Sequence, residues 1–493
     1  MSALNSKLAT LRVPLIATIC GLAGGGSLLM AASQVSPLVA GAAVLGILIA
    51  VAIVLSPVLG VLLTSAVIPM ERIGRLSADT QAYTVSLMRI IGLIALISFM
   101  VHAVVKRWKL HFGEALVIYG IYCFLGLLTI FYTSDHLSTV RAGSAILGNL
   151  LFFFLVINIV RTWKLAKLVL VVWLVSSVAI GIYTAYDWHS GHAVNVQRIG
   201  ELQSRFSTVY SDTAEWQDLE SLSRAVGPTS SAAVYGINMI LTLPFFAYLI
   251  RVERDVRLRV ALFLGLGVVV YNILLSNTRA AILLTIAVAA MCLARKLIVI
   301  TGTRVLALVV LTVVVLLAAP QAVYKRILTI SNYSSEHSLT LRARFDYWKA
   351  GLIVAEDHWF GGAGLGNQNE IPKYLTGWHP EQTSVHNEYL QTFDEVGLIG
   401  WIVFFSFIGL LLWYSFRAAA IFKRLPDGRE QYQFMVAAQV AMIATLLYGT
   451  QVDVFHFPLK GWWLIGSLTW VVYQLGRKQA AELEQTSVLE ARL

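Results

Sequence analysis

The chain has 493 residues, of which 58% are hydrophobic and 13% charged, and its mean hydropathy is +0.73. That balance excludes a set of ordinary soluble domains, because too little polar surface exists to solvate them. The formal charge of +10 does not indicate a nucleic-acid partner either, since the lysines and arginines fall largely in short clusters between apolar runs. The expected class is an all-α polytopic integral membrane protein with about 12–14 transmembrane helices, each roughly 20 residues long.

The apolar stretches run near 13–32, 37–56, 57–69, 84–105, 114–132, 144–160, 168–186, 231–250, 260–275, 280–294, 305–319, 396–416, 434–452 and 459–476. The basic start at Lys7 and Arg12 resembles a signal peptide, but the many later spans make it the first span. The stretches 57–69, 280–294 and 305–319 are short for full crossings and read as tilted, re-entrant or merged with a neighbour. Cys20, Cys123 and Cys292 all lie inside apolar runs, as small core or lipid-facing residues do, so no disulfide or metal framework is expected.

Orientation follows from the basic connections at 106–109, 161–167, 251–259, 295–296, 417–424 and 477–478. Placing these inside makes both termini cytoplasmic. The parity then puts the loop 187–230, the turn Ser276-Asn277-Thr278-Arg279 and the long segment 320–395 outside. Three divisions result: a helix bundle over 1–319 with the outer loop 187–230, a large outer loop at 320–395, and C-terminal spans with a polar tail over 396–493. The long segment has about 75 residues, well beyond the roughly 12–15 that structureless loops normally reach. It carries helical periodicity around 341–353, which predicts a helical cap on the outer face.

Several outer residues have the chemistry of an anion site. Arg224 adjoins a Gly-Pro turn, where it either contacts lipid headgroups or is held at the bundle mouth to grip two phosphate oxygens. Arg279 lies in a tight turn between two apolar runs, and an ionisable group at such a position normally faces a polar cavity or partner. Arg89 is similar but sits in a longer apolar stretch. In the long loop, Arg344, Tyr347 and Trp348 fall on one helical face, with Arg342 close by. The dense glycines of 361–366 do not form a dinucleotide fingerprint; they suit a sharp turn and close backbone approach. The histidines are scattered without metal-ligand spacing, so no metal or other cofactor is expected.

The stretch 384–400 closes the long polar segment and leads into a span. Ser384 is a good N-cap, and Tyr389, Leu390, Phe393 and Val396 recur at helical spacing. His386 is therefore expected in the first turn of a helix, where the positive end of the dipole favours a neutral imidazole able to accept a proton. A surface or capping histidine is the plainer alternative. A base beside several fixed cations suits a reaction with a lipid-linked pyrophosphate leaving group.

Taken together, Arg224-Ala-Val-Gly-Pro, Ser-Asn-Thr-Arg279-Ala-Ala, Arg344-Phe-Asp-Tyr-Trp348, Gly362-Ala-Gly-Leu-Gly366 and His386-Asn-Glu-Tyr-Leu-Gln391 with Glu395-Val-Gly397-Leu-Ile-Gly400 resemble the O-antigen ligase and polymerase superfamily. The resemblance covers roughly residues 200–450 and rests on the order of the motifs around one long loop. Thr229, Ser230 and Ser231 follow the Gly-Pro pair where the family often has an asparagine.

The resemblance implies a GT-C-like glycosyltransferase with a helical periplasmic cap, multi-pass in a bacterial inner membrane, with a periplasmic active site. The implied donor is a polysaccharide on undecaprenyl pyrophosphate. In the ligase branch the acceptor is lipid A-core oligosaccharide, and the product is lipopolysaccharide. By the same resemblance His386 is the general base, while Arg224 and Arg279 hold the pyrophosphate. Arg344, Arg342, Tyr389, Gln391 and Arg89 are further candidates for substrate binding. Direct attack by the acceptor hydroxyl implies inversion without metal or nucleotide.

The ligase branch is favoured over the polymerase and protein O-oligosaccharyltransferase branches, since a single long loop ends in the histidine motif and no large extra soluble domain is present. A transporter for a lipid-linked glycan is the alternative of another class, and it would predict internal repeats and ionisable groups at mid-membrane.

Overall fold

The computed structural model describes residues 37–70, 86–190, 209–211, 223–229, 231–299, 301–319, 324, 337–367, 369–375, 384–456 and 459–490. In chain order the helices are α1 (Pro37–Leu55), α2 (Pro57–Ala66), α3 (Leu87–Val105), α4 (Glu114–Leu128), α5 (His136–Ile159), α6 (Trp163–His189), α7 (Ala232–Ile240) and α8 (Leu243–Val252). They continue with α9 (Val256–Leu275), α10 (Arg279–Ala294), α11 (Gly302–Ala318), α12 (His337–Asp357), α13 (Glu388–Arg424), α14 (Arg429–Gly449) and α15 (Lys460–Glu490). Two short strands, β1 (Val209–Ser211) and β2 (Ser223–Ala225), pair antiparallel.

These segments are helical because an apolar run in lipid must satisfy its backbone within itself. Polar caps mark where several begin: Ser86, Asp135, Thr162, Ser231 and Asp255 each accept a backbone N–H from the first turn of α3, α5, α6, α7 and α9. Among the described residues, eight helical segments are long and apolar enough to cross a membrane, and shorter apolar helices accompany them. The protein is thus an all-α polytopic membrane protein, as its composition requires.

Where the elements differ from expectation, the reasons are local. The stretch 231–250 is two helices, α7 and α8, separated at Leu241 and Thr242 with Pro244 in the first turn of the second. Helix α2 has 10 residues, roughly 15 Å of rise against a hydrocarbon layer of about 30 Å, so it does not cross alone. The polar tail is helical, continuing α15 to Glu490 with an exposed surface over 481–486. The expected span at 13–32 lies outside the described residues.

Helix α13 is the centre of the bundle, packed against α14, α4 and α15. Aromatic rings fill its flank: Tyr119 and Trp463 lie 4.5 Å apart, Tyr122 and Phe404 4.7 Å, and Phe407 stacks on Trp463 at 5.5 Å. Near its start α13 breaks at Gly397, with φ 64° and ψ −172°.

The glycine-dense segment 361–366 fills that break. Ala363 donates its N–H to the Asp394 carbonyl at 2.7 Å, Gly364 to Glu395 at 3.0 Å, and Leu398 returns one to Trp359 at 2.8 Å. A Cβ on Gly397 would stand 2.3 Å from the Phe360 carbonyl oxygen, and one on Gly362 (φ +76°) 2.3 Å from that of Glu395. Only glycine allows two backbones to interlock so closely. Beyond it, Leu365 packs against Gly126 of α4 and Gly366 against Ala142 of α5, tying the head of α13 to the bundle.

Gly397→Ala should therefore lower stability by about 2 kcal/mol or more, from left-handed strain plus backbone overlap. Gly409→Ala in the same helix meets nothing within 4 Å and should be neutral or stabilising by up to about 1 kcal/mol. Thermal unfolding of the two purified variants in one detergent compares them directly, and equal losses would contradict the interlock.

Candidate active site

His386 precedes α13 rather than lying within its first turn. The N-cap is Asn387, whose side chain accepts from the Tyr389 and Leu390 amides, while Ser384 accepts the His386 N–H at 3.1 Å. Both residues have capping side chains, and the apolar period starting at Tyr389 fits either one. With Asn387 as cap, His386 adopts φ +52°, a left-handed conformation uncommon for a side-chain-bearing residue and typical of positions held by their surroundings.

The surroundings are specific. Nδ1 of His386 lies 3.4 Å from Oδ1 of Asp453, in the connection between α14 and α15, and the Tyr347 ring of α12 meets the imidazole edge-on at 6.1 Å. A carboxylate can only accept, so Nδ1 carries the hydrogen and Nε2 becomes the accepting nitrogen. Burial pushes the Asp453 carboxyl up, but the hydrogen bond and charge of His386, with help from His456, hold it below the usual carboxylate range.

Behind this pair lies an acidic cluster on the head of α13. Glu388 accepts the Phe455 N–H at 2.8 Å and the Thr392 hydroxyl at 2.9 Å. His456 sits between two carboxylates, with Nδ1 3.3 Å from Glu388 Oε1 and Nε2 2.9 Å from Glu395 Oε2. Burial disfavours its cation, yet Glu395 and Glu388 outweigh that and hold its pKa well above the ordinary histidine range. Among the described residues, no group of three or more His, Cys, Asp or Glu could hold a metal ion.

The arginines come to the same end of the bundle. Arg344 of α12 donates to the Gln451 side-chain oxygen, and burial draws its pKa down against the opposing charges of Tyr448 and Asp453. Arg344 and Arg224 both lie within electrostatic reach of Tyr448, whose hydroxyl donates to the Ala233 carbonyl. Arg224, on β2, is partly buried, and the following Gly227 packs on the Tyr235 ring at 2.3 Å from where a Cβ would lie.

Arg279 is the first residue of α10, and its charge and that of Arg224 repel each other. Two like charges at the positive end of a helix are costly unless an anion joins them. Asn277, in the same turn, is 1% exposed, and both polar atoms of its carboxamide lack a hydrogen-bond partner among the described residues.

Other expected residues have different positions. Gln391 accepts the Val385 N–H at 3.1 Å and donates to Glu395 at 2.8 Å, so its amide is engaged within the protein. The Tyr389 hydroxyl donates to the Leu446 carbonyl at 2.9 Å and its ring stacks on Phe405. Arg89 is exposed near the start of α3, whose main contacts are with α1, α2 and α5, away from His386. Arg342 falls in α12, but its side chain lies outside the described residues.

The family model described as O-antigen ligase matches residues 260–405. Over that stretch the chain is similar to the O-antigen ligase superfamily. The matched stretch holds Arg279, Arg344, the interlocking glycines and His386, whereas Arg224, Asp453 and His456 stand outside it. With the membrane-spanning helices, the match supports a multi-pass membrane enzyme of the glycosyltransferase type, and the superfamily implies lipid-linked polysaccharide substrates. No curated protein matches the chain.

Sequence reasoning did not single out Asp453 and His456. Their signal was the run Gln451-Val-Asp-Val-Phe-His456, which sets two titratable side chains in a short connection between apolar helices. Because the Asp453 carboxyl is held down, it stabilises the fold above about pH 4, the ordinary carboxylate value, and that contribution is lost as pH falls through its lower folded value. Melting temperatures between pH 6 and 3 should therefore fall more steeply for wild type than for Asp453→Asn. Parallel curves would remove the His386–Asp453 coupling.

Proposed function

We propose that this protein is an O-antigen ligase. It transfers a polysaccharide from undecaprenyl pyrophosphate to lipid A-core oligosaccharide at the periplasmic face of a bacterial inner membrane, and so completes lipopolysaccharide. The observation that carries this reading is the convergence of the His386–Asp453 pair with Arg224, Arg279 and Arg344 at one end of the bundle, opposite the lysine- and arginine-rich turns. The basic turns support a cytoplasmic assignment for their own side and for both termini. A GT-C-like arrangement, with a helical cap built on α12, fits the same placement.

The chemistry follows from the residues. His386 Nε2 takes the proton of the acceptor hydroxyl as its oxygen forms a bond to the anomeric carbon. The bond from that carbon to the phosphate oxygen breaks, and its electron pair leaves with the undecaprenyl pyrophosphate. Arg224 and Arg279 face the charge that accumulates there, with Arg344 on the side nearer the histidine. Asp453 holds the imidazole in the accepting tautomer and stabilises the imidazolium that forms. One displacement inverts the anomeric centre. Cations converging at one end, rather than at mid-membrane, favour an enzyme over a transporter.

The test is transfer in proteoliposomes with lipid-linked polysaccharide donor, lipid A-core acceptor and EDTA. Wild type should extend the acceptor, and His386→Ala should lose about 100- to 10,000-fold in rate while folding normally, the usual worth of a general base. Arg279→Ala should weaken donor use at unchanged fold. Elongation of the donor alone would make the protein a polymerase, transfer to a protein hydroxyl an O-oligosaccharyltransferase, and movement of donor without a new glycosidic bond a transporter.

A further inference from the structure

Hydrogen bonds and ion pairs around His386 form a closed circuit that returns to it through His456. On one side, the Val385 N–H meets Gln391, Gln391 meets Glu395, and Glu395 meets His456 Nε2. On the other, the His456 N–H donates to the Asp453 carbonyl at 3.3 Å, and the Asp453 carboxylate faces His386. A second strut runs from His456 Nδ1 to Glu388, whose other oxygen takes the Phe455 N–H. Both segments that place the base are thereby fastened to His456, the residues just before it through the imidazole and the connection carrying Asp453 through the backbone amide.

We propose that His456 is a positioning residue for the transfer: clamped between Glu388 and Glu395, it fixes Asp453 and the 384–387 segment relative to each other, and so sets the direction in which the His386 imidazole points. This rests on the reading of His386 as the base. His456 is set apart from substrate by its own partners, since Nδ1 faces Glu388 and Nε2 faces Glu395.

The clamp is chemically suited to this task. Glu388 and Glu395 are each 3% exposed or less, and two such carboxylates demand a cation between them. An imidazolium supplies two donors at a fixed angle, which neither lysine nor a neutral amide reproduces. The charged and titratable groups around it are Glu388 and Glu395 on α13, Asp453 on its own connection, and the Tyr122 hydroxyl of α4, which lies within electrostatic reach of both glutamates. Asp394 is coupled to Glu395 from the same helix.

The experiment uses the full-length protein in the transfer assay, with His456→Gln, His386→Ala and the triple variant Glu388→Gln/Glu395→Gln/His456→Gln. His456→Gln should lower kcat about 10- to 100-fold, as a small misplacement of a catalytic group does, and leave the donor KM within about twofold. Removing the cation leaves the two carboxylates uncompensated, which favours protonation of the neighbouring base, so the acidic limb of kcat/KM should move to higher pH.

The triple variant keeps amide hydrogen bonds without stranded charge, and its fold is checked by its melting temperature. If it folds as wild type and still loses kcat, positioning by the imidazole stands. A wild-type kcat in either folded variant overturns the inference, and so does a loss explained wholly by a smaller folded fraction with an unmoved pH limb. Should His386→Ala remain active, it is the reading of the base that fails, whatever His456 does.

Discussion

The structure depends on the interlock of two backbones at Gly397. A helix crossing a bilayer has no spare carbonyls to offer and no water to satisfy them. Helix α13 opens its ladder at this one place, and the carbonyls of Asp394 and Glu395 are met by the amides of Ala363 and Gly364. The break gives the first two turns of α13 a direction of their own, set by the long loop rather than by the membrane-crossing part. Glu388 and Glu395 ride on that short head, and His386 directly precedes it. The loop is anchored in turn by Leu365, whose N–H donates to Thr129 at 2.9 Å.

Electrostatics then divide the end of the bundle into two regions of opposite sign. Glu388, Glu395 and Asp453 are buried and gather around His456, whereas Arg224, Arg279 and Arg344 present positive charge beside them. Arg279 opens α10 and its charge and that of Arg224 repel each other, a repulsion that, on the proposed reading, an anionic leaving group relieves as charge develops on it. His386 stands at the seam, with a carboxylate on one ring nitrogen and the arginines beyond Tyr448.

Much of this was legible in the sequence because it rests on local rules. Apolar run length and flanking lysines and arginines located the helices, and helical spacing put Arg344 and Tyr347 on one face, where the structure shows one meeting Gln451 and the other His386. The glycines of 361–366 signalled close backbone approach, and Gly362 and Gly397 meet as such spacing allows. Two things were not legible. Choosing between Ser384 and Asn387 as cap needs the tertiary pull on His386, which local spacing does not carry. Asp453 and His456 reach the site only because α14 folds back antiparallel to α13, and pairing across some 67 residues leaves no trace in a local pattern.

The change of cap alters the physical account of the base. In the first turn of a helix, the dipole would keep the imidazole neutral by penalising its cation, which also weakens it as a proton acceptor. Outside the helix, Nδ1 faces the Asp453 carboxylate instead, which fixes the tautomer and leaves Nε2 as the accepting nitrogen. The two arrangements make opposite use of charge. On the proposed reading of His386 as the base, the carboxylate serves a poorly acidic hydroxyl better, and the left-handed backbone at His386 is what brings its ring to that carboxylate instead of to the helix end.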